Sequence, residues 1–236
     1  MSLIPWWALL SAGAAPVLLI GGWTVASALQ PTGSDPLGHT ISALAADGAT
    51  DRWLMTSVFA GIGVCYFVTA YGLKRVRPAG RIMLFLGGVC SIAVAIFPEP
   101  GDGGTTPQHA VVTGMGFVTL AAWPCLAMES GPSAPWPLRP AVSAAFTALV
   151  LASAAWFLLE LHGHGNSGIA ERVVTGLQAL WPVVVVAGLR YSAGQQGRDR
   201  PYGGAGQRAG VRTEAPCLEN PIDLGRQAED QQDGGR

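Results

Sequence analysis

What most constrains this chain is how little charge its first 191 residues carry. They hold 16 of its 29 charged side chains, and the other 13 crowd into the last 45 residues. A helix crossing a hydrocarbon core of about 30 Å needs about 20 mostly apolar residues, because each adds about 1.5 Å of rise. Six stretches meet or approach that length, at 5–29, 53–73, 82–97, 109–128, 141–161 and 173–191. The third is short, and Arg81 extends it if the arginine stem snorkels toward the headgroups. The predicted fold is therefore all-α, a polytopic transmembrane six-helix bundle with a disordered cytoplasmic C-terminal tail. Half of the residues are apolar and 12% are charged, against about 25% charged in a typical soluble domain. That balance excludes an ordinary soluble enzyme. A net charge of −1, with no clustered basic surface, excludes a nucleic-acid partner.

Orientation follows from the cations, which short flanking loops retain on the cytoplasmic side. Lys74, Arg75, Arg77 and Arg81 lie between spans two and three. With that loop inside, both termini are inside a cell membrane, and twelve cations fall inside against two outside, Arg52 and Arg172. Ala12-Gly13-Ala14 resembles a signal-peptide processing site, but no basic leader precedes it and the apolar run continues to Leu29. An uncleaved first span is expected. From Ser192 onward the chain is rich in Gly, Gln, Arg and Asp, too polar to offset the cost of ordering, so residues 192–236 are expected to be disordered. Cys65, Cys90 and Cys125 fall in spans and Cys217 in the tail, a pattern that predicts neither a disulfide framework nor a CxxC zinc site.

In this topology the four histidines, His39, His109, His162 and His164, all face the extracytoplasmic side. Asp35, Asp47, Asp51, Glu99, Asp102, Glu160 and Glu171 join them there. This is where the sequence gathers groups able to bind a metal, move a proton or hold a polar headgroup. Ser34-Asp35-Pro36 reads as a helix start with Asp35 as N-cap, leading into a short amphipathic helix with Ile41, Leu44 and Ala45 on one face. Asp35 and His39 would share a face of it. Thr106-Pro107 is a second start signal, which puts His109 in the first turn of span four, above Thr113 and Gly116. His162-Gly163-His164 is an HxH pair, with zinc as the metal it would take. Glu171, Thr175, Gln178 and Pro182 recur at intervals of three and four residues, so they share a face that must point into the bundle. Neither a phosphate-binding loop nor a GxSxG, HExxH or dinucleotide fingerprint occurs.

The stretch Ser34-Asp-Pro-Leu-Gly-His-Thr-Ile-Ser-Ala-Leu44, then Trp53-Leu-Met55, resembles a group of uncharacterised bacterial six-span membrane proteins catalogued under domain of unknown function 998. Ile96-Phe97-Pro98-Glu99 and His109 continue the resemblance, which covers residues 5–191. It implies a six-helix integral membrane protein and no reaction. The family pattern carries an Asp near Glu99 or Asp102, which leaves two candidates for that acid.

Three functions fit these residues. The leading one is binding or moving a lipid or small amphiphile through an extracytoplasmic pocket built from Asp35, His39, Glu99, Asp102, His109, Glu171 and Gln178. The alternatives are a metal-dependent intramembrane lipid hydrolase, with zinc on a subset of His39, His109, His162 and His164, and a structural or accessory subunit.

Overall fold

Proline sets three of the helix starts. With its φ already helical and no N–H to satisfy, Pro fits the first turn of a helix, and it opens three of the six here. A computed structural model describes residues 4–31, 35, 38–101, 104–163 and 165–198. Its long helices are α1 (Trp6–Leu29), α2 (Trp53–Gly72), α3 (Pro78–Ile96), α4 (Pro107–Ala127), α5 (Pro140–Leu161) and α6 (Ser167–Arg198). Short 3₁₀ turns cover Ser42–Ala45 and Trp136–Leu138, and no strand occurs among the described residues. All six helices are long and apolar enough to cross a membrane.

Their outward faces are apolar too. Val17 is 71% exposed, Val118 67% and Leu159 65%, side chains that water would not tolerate in such density and that lipid accommodates. The chain is an integral membrane protein with an all-helical bundle.

Each helix packs against the next in sequence, and α6 returns to pack on α1 as well as α5. The helices thus form a closed ring. Arg190 Nη1 donates to the Ile4 carbonyl at 2.8 Å, which ties the α6 end of the chain to the start of α1. At the opposite end, the segment joining α1 to α2 meets the segment joining α3 to α4, where the Asp47 amide donates to the Glu99 carbonyl at 2.9 Å. The core is small-residue rich on α1, with Ala8, Ala12 and Ala15 fully buried, and bulky elsewhere, with Met55, Leu84, Trp123 and Val185. Gly63 and Gly88 bring α2 and α3 together. A Cβ on Gly63 would lie 2.7 Å from the Gly88 carbonyl oxygen, and one on Gly88 2.8 Å from that of Gly63, so only hydrogen fits at this crossing.

Three expectations about elements change. Helix α3 begins at Pro78 rather than residue 82, and Arg81, inside it, donates from Nε to the Ala70 carbonyl at 2.9 Å instead of marking the end of the span. Helix α6 runs from Ser167 to Arg198, about 48 Å at 1.5 Å per residue, well past both expected ends; residues 199–236, with Cys217, lie outside the described residues. Of the helix expected after Asp35, the described residues show only the turn Ser42–Ala45. Ahead of that turn Thr40 Oγ1 accepts from the Ala43 amide at 3.1 Å; Pro36, which Asp35 was expected to precede as N-cap, lies outside the described residues. Ile41, Leu44 and Ala45, expected to share a face of that helix, are each buried in the main core.

Candidate functional site

The start of α4 is built as its sequence implies. Thr106 Oγ1 accepts from the His109 amide at 3.1 Å, with Pro107 in the first turn. That cap fixes His109, which is 3% exposed, in a position where both ring nitrogens have partners. Nδ1 lies 2.8 Å from the Phe97 carbonyl oxygen, an atom that only accepts, so Nδ1 carries the hydrogen. Nε2 then faces Thr113 Oγ1 at 3.2 Å and Glu99 Oε1 at 3.4 Å. Ile96-Phe97-Pro98-Glu99 and His109, on either side of the α3–α4 loop, therefore form one unit. Burial raises the Glu99 carboxyl above its ordinary value, and the His109 ring opposes that rise.

On α6, Glu171 is 4% and Gln178 3% exposed, about 10 Å apart along the axis by helical rise. The Glu171 carboxylate accepts from the Ile41 amide and from Ser42 Oγ, the latter at 3.3 Å. This fastens the α1–α2 segment over the ring. Glu99 lies within electrostatic reach of Glu171. Arg172, the next residue, turns elsewhere: Nη1 donates to the carbonyls of His39 at 3.1 Å and Gly168 at 2.8 Å, and the guanidinium sits 6.0 Å from the centre of the Trp23 ring. Among the described residues Glu171 has no ion-pair partner.

Between these groups lies an open-sided cavity of about 90 Å³ lined by residues of α1, α2, α3, α4 and α6. A single water needs about 10–15 Å³ on that measure, so it has room for several waters or part of an alkyl chain. Leu19, Phe59, Ile62, Val94, Phe117 and Leu120 supply apolar wall, and Glu171, Ser42, Thr175 and Gln178 supply polar groups on one side. Such a shape, mostly apolar with a few convergent polar groups, is the general form of a small-molecule site.

Not all of the expected rim residues meet there. His39 and Asp35 are exposed and joined through the backbone, the His39 amide donating to the Asp35 carbonyl at 3.0 Å. His162 is exposed, its Nδ1 2.7 Å from the Leu158 carbonyl, and Glu160 accepts from Trp156 Nε1 at 3.0 Å and from the Asn166 amide at 3.2 Å. Asp102 and His164 lie outside the described residues. Among the described residues no three His, Cys, Asp or Glu side chains gather closely enough to hold a metal ion. Several groups at the site went unanticipated: the Ile41 amide, Ser42, the Phe97 carbonyl, and Tyr66, Cys90 and Ser91 in the cavity wall. Ser91 and Tyr66 did carry a signal, as isolated hydroxyls inside apolar spans.

Comparison with known proteins matches residues 13–188 to the family described as Protein of unknown function (DUF998). No curated protein and no solved structure matches the chain.

Proposed function

The chain belongs to the DUF998 family of proteins of unknown function, and we propose from its site that it binds or moves a lipid or small amphiphile through the Glu171 cavity. The observation that carries this reading is the cavity itself, apolar along most of its wall and lined by three buried polar side chains, Ser42, Glu171 and Gln178. An apolar portion of a ligand would lie among Phe59, Ile62 and Leu120 while its polar portion meets Glu171 and Gln178. The Glu99–His109 pair sits beside the polar end and sets its electrostatics. A cell-membrane location with both termini cytoplasmic and the cavity's polar end extracytoplasmic is supported by the twelve cations that this orientation places inside.

Native mass spectrometry of the full chain released from lipid nanodiscs tests the reading. The wild type is expected to carry a bound species of defined mass. Gln178→Leu, which removes the deep amide, and Val94→Trp, which fills the wall, are expected to lose it. A wild-type spectrum with no such species, or one unchanged in both variants, overturns the reading and leaves a structural or accessory role.

A further inference from the structure

The polar atoms lining the cavity are unbalanced. Neither Lys, Arg nor His lines it, and its one charged side chain is Glu171. Most of its hydroxyls already donate within the protein. Ser42 Oγ donates to Glu171 Oε1 at 3.3 Å, Ser91 Oγ to the Phe59 carbonyl at 2.7 Å, and Thr175 Oγ1 to the Glu171 carbonyl at 2.7 Å. Thr113 Oγ1 lies 3.2 Å from His109 Nε2. The donating oxygens keep only lone pairs to offer a guest.

Gln178 behaves the same way. Its Nε2 donates to the Phe117 carbonyl at 3.1 Å, which leaves Oε1 as an acceptor with no hydrogen-bond partner among the described residues, on a side chain 3% exposed that lines the cavity. The Tyr66 hydroxyl, also in the wall, is the exception, a donor with no hydrogen-bond partner among the described residues. A carboxylate, an unpartnered amide oxygen and several acceptor oxygens suit a guest that brings hydrogens and positive charge. Three aromatic rings line the same space, Phe59, Tyr66 and Phe117, and ring faces attract ammonium groups at distances up to about 6 Å.

Taking the proposed amphiphile site as its basis, we infer that the guest is a cationic amphiphile, with an ammonium head against Glu171 and an alkyl portion along Ile62, Val94 and Leu120. Neutral and anionic amphiphiles of the same length fit the wall equally well and lack the charge that answers Glu171. Arg172 answers part of that charge from a distance, but its Nη1 is held by the His39 and Gly168 carbonyls and it makes no ion pair with Glu171 among the described residues.

Isothermal titration of the full chain in nanodiscs at pH 7.5 against hexylammonium, hexan-1-ol and hexanoate tests the inference, with empty nanodiscs subtracted to remove partitioning. Hexylammonium is expected to bind the wild type at least about tenfold more tightly than hexanol, the size of one charge-assisted contact. Glu171→Gln is expected to shrink that preference to within about twofold while hexanol binding is retained. Phe59→Leu, which leaves the carboxylate in place, is expected to weaken hexylammonium more than hexanol, which keeps the test open if Glu171→Gln does not fold. If hexanol or hexanoate binds the wild type as tightly as hexylammonium and Val94→Trp abolishes that binding, the cationic class is overturned while the amphiphile site stands. If none of the three binds, the site itself is overturned and the inference with it.

Discussion

Replacing Glu171 by Ala removes the acceptor that holds the α1–α2 segment on the ring. The Ile41 amide and Ser42 hydroxyl both donate to that carboxylate, and Ile41 is 1% and Ser42 5% exposed. A buried donor left without an acceptor costs about 1–3 kcal/mol. The serine hydroxyl can rotate toward another oxygen, whereas the main-chain amide cannot, so the amide dominates and the sum is about 3 kcal/mol. For a chain of this size each kcal/mol moves the unfolding midpoint by about 2–4 °C, which predicts a fall of about 6–12 °C. Glu171→Gln keeps one acceptor oxygen and gives up the charge, at about 1 kcal/mol and 2–4 °C. Thermal unfolding of the three proteins in one detergent, with amide hydrogen exchange followed at Ile41, reads both effects. Alanine is expected to destabilise more than glutamine and to speed exchange at Ile41. Equal midpoints for the two variants, with the Ile41 amide still protected, would refute the view that Glu171 straps the loop.

At the α2–α3 crossing, Gly63→Leu drives a side chain into the Gly88 backbone and is expected to abolish folding in a size-exclusion assay. Gly114→Ala, where an added Cβ meets nothing within 4 Å, is expected to be neutral or to gain up to about 1 kcal/mol of helix propensity. Burial raises the Glu99 carboxyl above its ordinary 4.5, so the folded chain holds that proton more tightly than the unfolded one. Its contribution is therefore greatest below pH 4.5 and is lost as pH rises through the raised value. Wild type should lose stability relative to Glu99→Gln on going from pH 4.5 to 7, and a midpoint difference that stays flat or runs the other way contradicts this assignment. For orientation, a membrane-impermeant maleimide on intact cells is expected to label Thr105→Cys and to spare Cys217 until the membrane is opened, whereas the reverse pattern inverts the topology.

The six spans were legible because bilayer thickness and helical rise leave little freedom in the length of an apolar run. Their ends were less so. Residues 78–81 looked like loop because Arg81 carries a charge, yet Pro78 starts the helix there and the guanidinium settles on the Ala70 carbonyl. The last turns of α6 contain Ser, Gly, Gln and Arg, which hydropathy does not see and backbone hydrogen bonding accepts. In the site, Glu171, Thr175 and Gln178 were readable from their helical spacing, and Glu99 with His109 from adjoining motifs. What hid were the Ile41 amide and the Phe97 carbonyl, since main-chain groups have no residue type to betray them. Sharing one end of a bundle also proved weaker than sharing a place: helix axes 8–10 Å apart keep His39 and His162 on their own loops while His109 turns inward.

An experimental density map of the full chain in a lipid nanodisc, read in the space between Phe59, Leu120 and Gln178, goes straight to the central claim. The account predicts an elongated non-protein feature with its polar end against Glu171. A cavity closed by side chains, or holding only separate water peaks, would contradict it.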